Sequence, residues 1–196
     1  MNKNILEFYV LANELKNVVR TGWVEVGIPR EKVESVADHV YGSLVLSIAI
    51  VSEKNIDIDL EKVFKMIIVK ELKKAITKEE ASINSINEGS VENILNKLSN
   101  KEELMNVYEE AENKETKEAK FALMVTKLES DIQAKIYEKN GDFTVENAKK
   151  DIENYPEELK SQLINIEKAS DGWLTYDRQY YTDELFMSLS KDVQEL

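Results

Sequence analysis

Residues Glu34 to Val51, ESVADHVYGSLVLSIAIV, form the most apolar run of the chain and carry His39, its single histidine. Val33, Val36, Ala37, Val40, Leu44, Ile48 and Val51 recur at the three-and-four spacing of a helix, and Val45 and Leu46 widen the apolar surface beyond that stripe. A helix that is apolar over most of its circumference belongs in the middle of a fold. The spacing therefore predicts a core helix from about Arg30 to Glu53. Its nearly uninterrupted part, Val40 to Val51, is about twelve residues and includes Gly42, Ser43 and Ser47. A bilayer-spanning helix needs roughly 20, so no membrane partner is expected.

Working outward, Asp57 or Asp59 caps a second segment, LEKVFKMIIVKELKKAI, because a short acidic side chain satisfies the first free amides of a helix. Leu60, Val63, Phe64, Ile67 and Ile68 form its stripe; Glu71 and Lys74 fall on the continuation of that stripe and Lys70 at its margin. Charges in the path of an apolar stripe are either solvated, where the helix leaves the core, or paired, since burying them alone is costly. Upstream, Ile5, Phe8, Tyr9, Ala12 and Leu15 give a helix over about Lys3 to Val18, followed by Arg20-Thr21-Gly22-Trp23 and a connection with Gly27 and Pro29.

Downstream, Thr77-Lys78-Glu79-Glu80 and Ser99-Asn100-Lys101-Glu102 read as capping boxes. A long helix covers Glu115 to Tyr137, with Phe121, Met124, Val125, Leu128, Ile132 and Ile136 as its core face and Thr126, Glu129 and Gln133 as a polar seam. Asn140-Gly141-Asp142 is a turn. Helices are expected from Thr144 to about Asn154, from Glu157 to Lys168 after Pro156, and from about Tyr180 to Val193, in a tail rich in aromatics. With two prolines, six glycines and no repeat or linker, the expected architecture is all-α: one domain over residues 1–196, a bundle of about eight to ten helices.

The balance of 26 basic against 38 acidic residues, net −12, argues against a nucleic-acid backbone as partner. No cysteine is present, which removes disulfides and thiolate sites and fits a cytoplasmic protein. No glycine-rich phosphate loop and no serine in a nucleophile elbow occurs. One histidine is a weak basis for a zinc site, and on pattern alone it is a core residue.

Four pieces in order resemble the HD-domain phosphohydrolase superfamily, in the branch of the 5'-deoxynucleotidases: LKNVVRTGW (Leu15 to Trp23), ESVADHVYG (Glu34 to Gly42), VFKMIIVKELKKAITKEEA (Val63 to Ala81) and AKFALMVTKLESDIQAKIYEK (Ala119 to Lys139). The resemblance implies an HD-type bundle and a divalent metal held by four side chains. His39 matches the first ligand. The family's His-Asp pair falls at Lys70-Glu71, and its last aspartate at Thr126. The catalytic glutamate falls at Lys74, and a following Gly-Asp at Lys78-Glu79, so Glu79 keeps only the acidic group. Arg20, the family's phosphate contact, and Trp23, beside its sugar, are kept.

A charged ammonium has no lone pair and a threonine hydroxyl is a poor ligand, so no metal cofactor is expected. Lys70, Lys74 or both are expected to pair with Glu71 in the metal's place. The leading reading is a homologue without turnover that binds a nucleotide or other phosphorylated small molecule through Arg20, Trp23, Lys70 and Lys74. A second keeps a nucleoside monophosphate phosphohydrolase with manganese, magnesium or cobalt on His39, Glu71 and Glu79. A third is a non-catalytic interaction protein. The resemblance also implies a homodimer, which the aromatic tail would suit.

Overall fold

The computed structural model describes residues 2–77, 89–149, 157, 160–161 and 164–196. In it the central helix begins at Val36, six residues later than its hydrophobic spacing suggests. The Ser35 hydroxyl accepts from the Asp38 amide at 3.1 Å, and the Asp38 carboxylate accepts from the Ser35 amide at 2.9 Å. This reciprocal cap fixes the start. Residues Arg30–Lys32 form a 3-10 turn instead, with Val33 extended after it. Asn55, at φ 49°, closes the other end.

The helices in chain order are α1 (Asn2–Asn13), α2 (Thr21–Glu25), α3 (Val36–Lys54), α4 (Leu60–Glu71), α5 (Lys74–Thr77), α6 (Gly89–Leu95), α7 (Lys101–Asn113), α8 (Lys117–Asn140), α9 (Val145–Lys149), α10 (Ala169–Asp177) and α11 (Glu184–Gln194). Further 3-10 turns lie at Glu14–Lys16 and Arg178–Tyr180. Among the described residues there is no strand, only an isolated antiparallel bridge between Val19 and Ser35. The all-α class is as expected.

Residues 1–21 and 34–123 make one compact unit, and residues 22–33 and 124–196 a second. In the first, α4 packs against α3 and α7, and α1 against α5 and α6. Asp59 caps α4 by accepting from the Lys62 amide at 3.0 Å. Val63, Met66, Ile67 and Val69 are its buried residues, each contributing about 1.5–3 kcal/mol on full burial. The expected stripe is rotated here, since Met66 and Val69 replace Phe64 and Ile68 at the centre.

The rotation is larger in α3. Its buried face is Val36, His39, Ser43, Ser47 and Ile50, while Tyr41, Val45 and Ile48 are exposed. Apolar spacing alone chose the wrong side because the apolar residues of this helix run nearly all the way round. The Ser47 hydroxyl donates to the Ser43 carbonyl at 2.7 Å, so a polar inner face is accommodated locally. By length and composition α3 could cross a membrane; the full helix is longer than the apolar run alone suggests. Its capped ends and buried His39 mark a helix packed within its unit.

The helix expected from Lys3 to Val18 ends at Asn13, with Leu15 buried in the 3-10 turn that follows. The helix after Ser99 forms, but its N-cap Asn100 makes no side-chain cap bond. The last helix starts at Glu184, where Asp183 caps it by accepting from the Leu185 amide at 2.7 Å. The boxes and helices expected at 78–81 and across 150–163 fall largely outside the described residues.

In the second unit, Trp23 is 1% exposed. It stacks on Trp173 at 4.2 Å between centroids and meets Tyr137 edge-on at 5.4 Å. The connection after it turns at Gly27, whose φ of +89° suits glycine. A Cβ there would lie 2.9 Å from the Asn147 Cβ, and Asn147 donates its side-chain amide to the Gly27 carbonyl at 3.1 Å.

Candidate functional site

Backbone pairing brings the first site residues together. The Val36 amide donates to the Val18 carbonyl at 2.7 Å, and the Arg20 amide to the Glu34 carbonyl at 3.1 Å. Arg20 is thereby laid beside the start of α3, and its guanidinium donates to the Glu34 carboxylate at 2.7 Å. Both side chains are largely buried. His39 is buried on the first turn of α3, with a ring nitrogen within 4.8 Å of a Glu34 carboxylate oxygen.

The α4–α5 junction makes the second group. The Lys74 ammonium lies 2.8 Å from Glu71 Oε2, with side chains only 21% and 12% exposed. That oxygen makes no aligned hydrogen bond, so the contact is an ion pair held mainly by charge. Lys70 turns the other way, to Glu112 on α7 at 3.6 Å. Burial pulls the Lys70 ammonium below the usual lysine pKa, while Glu112 pulls it back up. Of the two lysines considered as partners of Glu71, Lys74 takes the role and Lys70 does not.

Thr126 lies on α8 in the second unit and is half-buried. Glu129 follows one helical turn later and is buried. Trp23 is enclosed in the aromatic cluster of that unit. Lys78 and Glu79 lie outside the described residues.

The resemblance assigns a divalent metal to the positions of His39, Lys70, Glu71 and Thr126. Two of them carry lysine and threonine, and the remaining carboxylate, Glu71, already faces an ammonium at 2.8 Å. A metal held at Glu71 would have to displace that ammonium. Arg20, Lys70 and Lys74 are each matched to a carboxylate: Glu34, Glu112 and Glu71.

Two features escaped the sequence reading. Lys70 and Glu112 are far apart in sequence, and nothing local links them. Asp131 is fully buried on α8; it stands three residues after Leu128 and seven after Met124, on the core stripe, and that spacing was the available signal.

Residues 12–166 match the family model described as HD domain. The 5'-deoxynucleotidase HDDC2 of Dictyostelium discoideum is 32% identical over 153 residues, covering 69% of this chain and 78% of that protein. The human protein of the same name is 28% identical over 146 residues, covering 69% of each. The fold is shared with a conserved hypothetical protein from Pyrococcus furiosus, at a TM-score of 0.67 and 24% identity over 97% of this chain and 99% of that one. A predicted metal-dependent phosphohydrolase from Magnetospirillum magnetotacticum superposes with a TM-score of 0.59 at 14% identity, over 98% of this chain and 95% of that one. The chain belongs to the HD-domain phosphohydrolase family, in its 5'-deoxynucleotidase-like branch.

Proposed function

We propose that this chain is an HD-domain homologue in which an internal ion pair stands where relatives of its branch hold a metal, and that it binds a nucleotide or other phosphorylated small molecule without hydrolysing it. The observation that carries the reading is the Lys74–Glu71 pair at 2.8 Å. Water activation and phosphate neutralisation by a metal ion both need an open coordination position, and an ammonium on the carboxylate closes it. The ammonium supplies charge in exchange but no acidified water.

Anion binding in this reading uses Arg20, Lys70 and Lys74, with the ligand's phosphate competing against Glu34, Glu112 and Glu71. A guanidinium accepts a phosphate in place of a carboxylate with the same forked geometry. Trp23, stacked inside its own unit, is given no ligand contact. Binding is tested by thermal unfolding with deoxynucleoside and nucleoside monophosphates, since a ligand of the native state alone raises the midpoint. A rise that disappears in Arg20→Met, with phosphate release at background in manganese, magnesium or cobalt, supports the proposal. Absence of any rise, or release at an enzymatic rate, defeats it.

The alternative, a residual metal-dependent nucleoside monophosphate phosphohydrolase, draws on the closeness of His39 and Glu34, within 4.8 Å. Self-association as a homodimer is part of the proposal, on a different surface from the aromatic tail, much of which is buried. The exposed apolar side chains lie on α1 (Ile5, Leu6, Tyr9, Val10) and on the outer face of α3 (Tyr41, Val45, Ile48). Sedimentation of the wild type against Leu6→Glu/Val10→Glu tests it: a dimer reduced to monomer supports it, and a wild-type monomer refutes it.

A further inference from the structure

Two buried carboxyl groups of the second unit, Asp131 and Asp177, lie in one cluster. Asp131, on α8, is 0% exposed, and Asp177, at the end of α10, is 1% exposed. Among the described residues the Lys127 ammonium is in contact with this cluster. Lys127, one turn before Asp131 on α8, places its Nζ 3.0 Å from Asp177 Oδ1 and 4.4 Å from the centre of the Tyr180 ring. The guanidinium of Arg178 donates from Nε to the Ser190 hydroxyl at 3.3 Å and from Nη2 to Gln194 Oε1 at 2.7 Å. It meets Asp131 only through that hydroxyl.

Asp131 is left with two hydroxyl donors on one oxygen. Tyr181 donates to Oδ2 at 2.6 Å and Ser190 donates to the same atom at 3.3 Å. Oδ1 is buried and has no hydrogen-bond partner. A fully buried carboxylate needs a cation or several N–H donors to hold its charge, and these contacts provide neither. Asp131, which has no cation in contact among the described residues, is neutral when it keeps its proton. Lys127 selects Asp177 as the ionised one.

The three groups joined at Asp131 come from three elements: α8, the segment after the Arg178–Tyr180 turn, and α11. We propose that this contact is a proton-coupled clasp, in which Asp131 is a neutral carboxylic acid when α11 is docked on α8 and loss of its proton to solvent weakens the docking. The carboxyl is pushed up to about 8 on balance: burial raises it most, Tyr181 and Ser190 pull it down by hydrogen bonding, Asp177 raises it by repulsion, and Lys127 lowers it. Burial likewise raises the Tyr181 phenol, and the carboxyl of Asp131 adds to that, so the tyrosine remains a donor.

The direction follows from linkage. Undocked, Asp131 titrates in the usual carboxylate range; docked, it holds its proton to about pH 8. Docking therefore takes up a proton between those limits, and the clasp weakens as pH rises through that window and is constant above it. No group in the cluster belongs to the first unit, so the clasp stands whether or not the ligand reading is right.

The test is a carboxyl-carbon NMR titration of the full chain labelled at aspartate, with Asp131→Asn and Tyr181→Phe beside the wild type. The wild type is expected to show one aspartate resonance titrating near pH 8 that is missing in Asp131→Asn. Tyr181→Phe removes a donor that favours the charged form, so the same resonance should titrate at higher pH; a purely structural tyrosine would leave it in place. Unfolding midpoints of wild type and Asp131→Asn should diverge in favour of the variant from pH 5 to pH 8. If every wild-type aspartate has titrated by pH 5, or the midpoints run parallel, the clasp is refuted. Should Asp131→Asn not fold, the wild-type and Tyr181→Phe titrations decide alone.

Discussion

Two carboxyl groups, Glu71 in the first unit and Asp131 in the second, are withdrawn from water in different ways. Glu71 is paired with the Lys74 ammonium at 2.8 Å, and both side chains keep some contact with solvent. Asp131 has no such contact and is bound by hydroxyls alone. The first is neutralised by a counter-ion on the next helix, the second by its own proton. A proton neutralises a buried carboxyl only below the group's own titration. In the proposed reading the first arrangement stands in for a metal electrostatically, and the second couples packing to pH.

The largest effect expected from this contrast is in the pH dependence of stability. Between the usual carboxylate range and about pH 8, wild type should lose about 1.4 kcal/mol per pH unit relative to Asp131→Asn, measured by urea unfolding at fixed temperature. Parallel curves would erase the contrast.

Next is Lys74→Met, which leaves Glu71 without its ammonium. A fully buried broken pair costs about 3–5 kcal/mol, and partial exposure reduces this to about 2 kcal/mol. Lys74→Met with Glu71→Leu should recover most of the loss, because no charge is then left behind. A double variant as unstable as the single one would show that the pair is not what holds the junction.

The smallest effect belongs to Lys70→Met. Its partner Glu112 is 3.6 Å away and 39% exposed, so the loss should be about 0.5 kcal/mol. A loss equal to that of Lys74→Met would mean that the two lysines share one role.

Much of this was legible in the chain. The Asp59 cap, the Gly141 turn at φ +77° and the long α8 follow from local chemistry that residues within a turn can express. The start of α3 was also written locally, as Ser-x-x-Asp at Ser35 and Asp38, but the hydrophobic spacing that continued upstream masked it. The inward face of α3 was not legible, because a helix with apolar residues on nearly all sides does not say which side is buried. The pairing of Arg20 with Glu34 was readable only as one choice among several carboxylates, and Lys70 with Glu112 was not readable at all.

At the candidate site, residue types carried more than pattern did. Lysine at position 70 and threonine at position 126 carried the expectation of no metal, while the choice between Lys70 and Lys74 as the partner of Glu71 needed coordinates. Asp131 shows the converse: its place on the core stripe was visible, but its neighbours Tyr181 and Ser190 lie 50 and 59 residues away.

The most direct measurement is the metal content of the full chain after incubation with excess manganese or cobalt and dialysis, read by mass spectrometry beside Lys70→His/Thr126→Asp, which restores the residue types its branch uses. Well under one equivalent is expected in the wild type, with a gain in the restored variant. One tightly retained equivalent in the wild type would contradict it.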